Sequence, residues 1–167
     1  MPRYRLILEY DGGPFCGWQR QESQLSVQSA LEDAVFRFCG ERATAAAAGR
    51  TDAGVHALAM PAQIELDTPR DPFRIMEALN FHLRPLPVAV LSVELAQGDF
   101  HVRFSAIARR YLYRIVNRRA PLALEAGRAH RIAPPLDETA MHQAAQTIIG
   151  KHDFSTFRAA SCQSQSP

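Results

Sequence analysis

From Tyr4 to Tyr10 bulky residues alternate, with Tyr4, Leu6, Leu8 and Tyr10 on one parity and Arg5, Ile7 and Glu9 on the other. A period of two with one apolar face predicts a strand buried on one side. Asp11-Gly12-Gly13-Pro14 ends it. Phe15-Cys16-Gly17-Trp18-Gln19-Arg20 then puts two aromatics and an arginine into a loop, which either packs down on the sheet edge or contacts a ligand. The period changes to three and four over Val27, Ala30, Leu31, Ala34, Val35 and Phe38, predicting a helix capped by Ser26 and closed by Gly40. Thr44 to Ala48 and Leu58 to Leu66 read as strands on either side of a loop, with Pro61 implying an edge or a bulge in the second. Asp71-Pro72 starts a short helix, prolines break Asn80 to Pro87, and Val88 to Leu95 alternates as a closing strand.

Strand, helix, strand, strand, helix, strand is the order of an α+β layer, a mostly antiparallel sheet with helices on one face. Further on, Arg109 to Asn117 again has strand parity. Tyr111, Tyr113 and Ile115 share one face, and Arg110, Leu112, Arg114 and Val116 the other. Asp137 caps a last predicted helix with Met141, Ala144, Ala145, Ile148 and Ile149 on its apolar stripe, stopped by Gly150. Beyond it the chain passes through Lys151-His152-Asp153-Phe154 to the polar run Ser161 to Ser166. No internal repeat or low-complexity tract is present.

Composition narrows the class. With 167 residues, 47% of them hydrophobic, the chain can bury one good core or two small ones. No apolar run approaches the roughly 20 residues that span a bilayer, and Met1-Pro2-Arg3-Tyr4 does not open a signal peptide, so the expected location is cytoplasmic. Cys16, Cys39 and Cys162 are odd in number and lack paired metal spacing, which argues against a disulfide framework and a zinc site. A net charge of +2 does not announce nucleic-acid binding. The distribution says more, because the acid-free stretch Phe100 to Leu124 holds Arg103, Arg109, Arg110, Arg114, Arg118 and Arg119. Alternating arginines and aromatics suit phosphate contacts and base stacking; they also suit a core strand with a solvated arginine face.

The candidate chemistry lies in the loop between the middle strands, Gly49-Arg50-Thr51-Asp52-Ala53-Gly54-Val55-His56-Ala57. Asp52 is two residues from Arg50, whose guanidinium favours an ionised carboxylate. By itself the string also describes an Asp-Ala-Gly turn whose aspartate bonds its own backbone.

This nine-residue string resembles the signature of the tRNA pseudouridine synthase A family, and the resemblance runs from about Arg5 to Pro167. It implies that Asp52 is the catalytic nucleophile and that Arg50 helps hold the target nucleotide out of its helix. Arg109-Arg110-Tyr111 is similar to the family's second signature, which makes Tyr111 the residue that stacks on the target base, with Arg109 and Arg110 as further substrate contacts. Tyr113 is then expected in the core. The implied fold is two similar α/β halves flanking a cleft. Residues 1–105 form the half carrying the catalytic loop, and residues 106–167 begin a second half that is incomplete here. Such a piece is expected to be inactive alone.

The implied activity is isomerisation of uridine to pseudouridine in the anticodon stem-loop of tRNA by a homodimer, without metal or redox cofactor. Walker, dinucleotide and zinc motifs are absent from the sequence. Two other readings compete. One is a non-catalytic α+β RNA-binding module in which Asp52 is a turn residue; the other is a glycosidase, which would need a second carboxylate across a cleft.

Overall fold

The structure, a computed structural model, describes residues 1–157 of the chain, so Cys162 and the polar run Ser161 to Ser166 lie outside the described residues. It divides into two compact units, Met1–Tyr113 and Arg114–Pro167.

In the first unit β1 (Arg3–Tyr10), α1 (Val27–Cys39), β2 (Ala46–Ala47), β3 (Ala57–Glu65), α2 (Pro72–Leu83) and β4 (Val88–Leu95) follow the predicted order. The sheet order is β2-β3-β1-β4 and every pair is antiparallel. Leu6 lies opposite Ala62 of β3 and Val93 of β4, so β1 is bonded on both edges. Its apolar parity, Tyr4, Leu6, Leu8 and Tyr10, is buried under Val27, Leu31 and Val35 of α1 and Ile75, Leu79 and Leu83 of α2. This is the α+β layer with helices on one face.

Local chemistry fixes the helix ends. The Ser26 hydroxyl accepts from the Ser29 N–H while the Ser29 hydroxyl accepts from the Ser26 N–H, a reciprocal cap that satisfies two otherwise orphaned donors. Gly40 closes α1 in the left-handed region, at φ 76°. Asp71 caps α2 through the Phe73 N–H at 3.0 Å, with Pro72 in the first turn. The Asn80 amide then exchanges two hydrogen bonds with the Val90 backbone, at 2.8 and 2.9 Å, tying α2 to β4. The helix therefore runs through Asn80 and ends at Leu83, later than the proline pattern predicts.

Phe15 and Trp18 are each 3% exposed and belong to the core cluster. The aromatic loop packs down rather than offering rings to a ligand, because these side chains close the end of the core beside Tyr10, whose ring centroid lies 6.4 Å from that of Trp18. On the sheet's other face the buried Gln63 accepts from the Val102 N–H at 3.0 Å and fastens the segment that follows β4.

In the second unit β5 (Ile115–Asn117) pairs in parallel with β6 (His130–Ile132), and α3 (Glu138–Gln146) is capped by Asp137 through the Ala140 N–H at 2.9 Å. The Asn117 amide donates to the carbonyls of Ile132 and Pro134 and its oxygen accepts from the Leu136 N–H, bridging β5 to the turn before α3. Three expectations are corrected in this part of the chain. The strand predicted over Arg109 to Asn117 shrinks to Ile115–Asn117, since residues 109–114 have the alternation but no ladder partner among the described residues. Tyr113, expected in the core, is 75% exposed. The last helix stops at Gln146, leaving Ile148 and Ile149 outside it and exposed, because nothing among the described residues buries their side of the chain.

Removing the α1 cap tests how far local chemistry holds the first unit. Ser26→Ala is expected to cost about 1 to 2 kcal/mol in urea unfolding, whereas Ser26→Thr keeps an acceptor oxygen and most of that stability.

Candidate active site

The loop between β2 and β3 is held from beneath by Thr51, which is buried between two exposed neighbours, Arg50 and Asp52. The Thr51 hydroxyl shares a 2.9 Å hydrogen bond with the Tyr10 hydroxyl, and its carbonyl accepts from the Trp18 N–H at 2.9 Å. Tyr10 belongs to the buried parity of β1, so the strand that centres the sheet also carries the loop's anchor. Burial raises the Tyr10 pKa, the Thr51 hydrogen bond opposes this, and the nearby Tyr111 raises it further. Tyr10 therefore stays a neutral hydroxyl through the physiological range.

Two close backbone approaches complete the seat. A Cβ on Gly12 would lie 2.1 Å from the Val55 carbonyl oxygen, and one on Gly17 would lie 2.5 Å from that of Thr51. Gly17 also has φ 110°, which side-chain-bearing residues rarely adopt. Both positions thus require glycine where residues 12–18 wrap the loop. The Gly12 N–H donates to His56 Nδ1 at 3.0 Å, and an Asp11 carboxylate oxygen lies 3.1 Å from the same nitrogen.

Asp52 differs from the other turn and cap aspartates. Asp11 accepts from the Gly13 N–H, Asp71 from that of Phe73, Asp137 from that of Ala140 and Asp153 from that of Ser155. Among the described residues no donor reaches the Asp52 carboxylate, although its backbone carbonyl accepts from the Val55 N–H at 3.2 Å. No ion pair joins it to Arg50 either, so the predicted support from that guanidinium is not made.

The structure brings two of the distant candidates to this loop and leaves one apart. Arg109 donates from Nε, at 3.1 Å, and from its terminal nitrogen to the carbonyl of Ala48, the residue before the loop. Tyr111 is 75% exposed, and its hydroxyl would lie 3.9 Å from a Cβ placed on Gly49. Arg110 is exposed, and its side chain makes no hydrogen bond or ion pair among the described residues. Sequence reasoning missed Tyr10, Thr51, Gly12 and Gly17 as parts of the site. A threonine between two charged residues was a usable signal for Thr51; the close approaches of the glycines were not visible without the fold. Among the described residues no group of three or more His, Cys, Asp or Glu could hold a metal ion, and no helix is long and apolar enough to cross a membrane.

The site is thus one unengaged carboxylate on a loop anchored to the core of an antiparallel α+β layer. No protein-family model matches the chain. Curated relatives do. It is 59% identical over 167 residues to tRNA pseudouridine synthase A of Rhodospirillum centenum, covering all of this chain and 68% of that protein. It is 57% identical to the protein of the same name in Rhizorhabdus wittichii and 58% to that in Rhodopseudomonas palustris strain HaA2, again along the whole chain and over 66% and 68% of theirs. The chain belongs to the tRNA pseudouridine synthase A family, and it spans about two thirds of the length of these relatives.

The seat of the loop can be tested apart from its chemistry. Gly17→Ala forces a Cβ against the Thr51 carbonyl at a positive φ and is expected to lower stability by about 1 to 3 kcal/mol and to depress turnover. Thermal unfolding and a turnover assay on the same preparation check both.

Proposed function

We propose that this chain carries the catalytic loop of a tRNA pseudouridine synthase, which isomerises uridine to pseudouridine in the anticodon stem-loop. The observation that carries the reading is the Asp52 carboxylate, exposed and without a hydrogen-bond donor among the described residues, directly after the anchored Thr51. A turn aspartate would bond its own backbone, as Asp11 does. A nucleophile has to be available, and it has to be held still.

The reaction is an isomerisation and needs no external reactant. The bond from the ribose C1′ to N1 of the base breaks, the base turns, C1′ bonds to C5, the C5 proton leaves and N1 takes up a proton. One nucleophile, one proton acceptor and a pocket for an extruded base are sufficient. Asp52 is the nucleophile, making and releasing a covalent bond to the nucleotide. Arg50 keeps the nucleotide out of the helix and Tyr111 stacks on its base. Arg110 carries a free positive charge toward the phosphates. In this reading residues 1–105 supply the carboxylate loop and residues 106–167 begin the half that supplies the tyrosine and arginines. The whole enzyme works in the cytoplasm as a homodimer that holds tRNA across both copies.

Asp52→Ala is expected to abolish pseudouridine formation on unmodified tRNA, and near-wild-type turnover would remove Asp52 from the nucleophile's role. Asp52→Asn separates an enzyme from a binding module, since it should retain tRNA affinity while turnover is lost. Wild-type enzyme with its second half complete that binds tRNA but forms no product would favour the module.

Tyr111→Phe keeps the π-face and Tyr111→Leu does not. Stacking predicts that the phenylalanine variant keeps most of its turnover and the leucine variant loses it. Equal loss in both would assign the work to the hydroxyl.

A further inference from the structure

The antiparallel ladder between β2 and β3 has a gap. Ala47 lies opposite Ala62, so the next pair is Ala48 and Pro61, and the Ala48 N–H donates to the Pro61 carbonyl at 2.9 Å. A pair bonded in this way normally exchanges two hydrogen bonds. Proline has no N–H, so the Ala48 carbonyl lacks its ladder donor. The Arg109 guanidinium fills that place, donating from Nε at 3.1 Å and from its terminal nitrogen to the same oxygen. Gly49 leaves room for it, since a Cβ there would crowd Arg109 Nε at 3.3 Å. Two residues further on, the Tyr111 hydroxyl lies beside Gly49 and close enough to Tyr10 to raise its pKa.

We propose that Arg109 is a positioning residue, replacing the donor that Pro61 lacks and thereby holding Tyr111 at the entrance of the Asp52 loop. The inference rests on the reading of this loop as a pseudouridine synthase site. Residues 109–114 have no ladder partner among the described residues, so the guanidinium supplies the registration that strand pairing would otherwise give. Two of its five N–H donors are spent on the protein rather than on RNA. Arginine suits this better than lysine, because its planar fork can place two N–H groups on one carbonyl. Arg109 and Arg110 are thereby divided between two tasks, the first facing the protein and the second the substrate.

The test uses the enzyme with its second half complete and unmodified tRNA, comparing wild type, Arg109→Lys, Arg109→Ala, Tyr111→Leu and the double variant Arg109→Ala/Tyr111→Leu. Loss of positioning is expected to lower kcat by about tenfold or more with KM almost unchanged. Lysine should restore little of it. The double variant should be no slower than Tyr111→Leu alone, because Arg109 acts through that tyrosine. A phosphate contact gives the opposite pattern: KM rises, kcat holds, lysine rescues, and the salt slope of binding falls by about one. That pattern, or losses that multiply in the double variant, would overturn the proposal.

A readout without catalysis is the Arg109 Nε–H resonance of the free protein, assigned by its disappearance in Arg109→Lys. Protection from solvent exchange is expected. Exchange at the free-solvent rate would overturn the docking whatever the turnover. Wild-type enzyme with its second half complete, a protected resonance and no product would sink the proposed activity and leave the docking standing.

Discussion

A buried threonine hydroxyl needs a partner, and that need organises the site. Thr51 finds one in Tyr10, whose ring is already committed to the core because it lies on the apolar parity of β1. The bond is made where water does not compete, so leaving either hydroxyl alone would cost a desolvation penalty. Through it the loop inherits the rigidity of the central strand. Arg50 and Asp52, the residues on either side, stand exposed because the residue between them is held down.

The rest of the seat is made almost entirely with backbone atoms. Trp18 donates its N–H to the Thr51 carbonyl and Gly54 donates its own to that of Phe15. Gly12 and Gly17 come so close to the loop that no side chain fits between them and the carbonyls they face. A loop held by main-chain contacts keeps its polar side chains free for a substrate. The unengaged carboxylate of Asp52 is the result, in contrast to the aspartates that cap helices and turns elsewhere in the chain.

The absence of a single donor has a comparable reach. Pro61 leaves the carbonyl of Ala48, the residue after β2, without its ladder bond, and the Arg109 side chain completes it from 61 residues along the chain. A feature that looks like a defect in β3 is therefore where the segment bearing Tyr111 attaches to the loop. Pro61 suggested an edge or a bulge, but β3 lies between β2 and β1, Pro61 is in register with Ile7, and the shift against β1 comes beyond it, between Leu8 and Tyr10.

The sequence by itself determined the first unit's elements and the location of its chemistry. Alternation from Tyr4 to Tyr10, three-and-four spacing from Val27, and the caps Ser26, Gly40 and Asp71 act over one or two turns of chain, so they are legible without the fold. The nine-residue loop string and Arg109-Arg110-Tyr111 likewise led to the family to which the chain belongs. What only the tertiary structure decided were the relations between residues far apart in sequence. Phe15 and Trp18 became core because the end of the sheet needed covering, and a loop sequence does not record the space beneath it. Tyr113 remained exposed because its alternating segment gained no ladder partner, and parity alone does not supply one. Arg109 read as one more phosphate-seeking cation until the fold placed it opposite a carbonyl that a proline had left unbonded. Side-chain type sets what a residue can bond to; which partner it meets is set by packing, and packing is non-local.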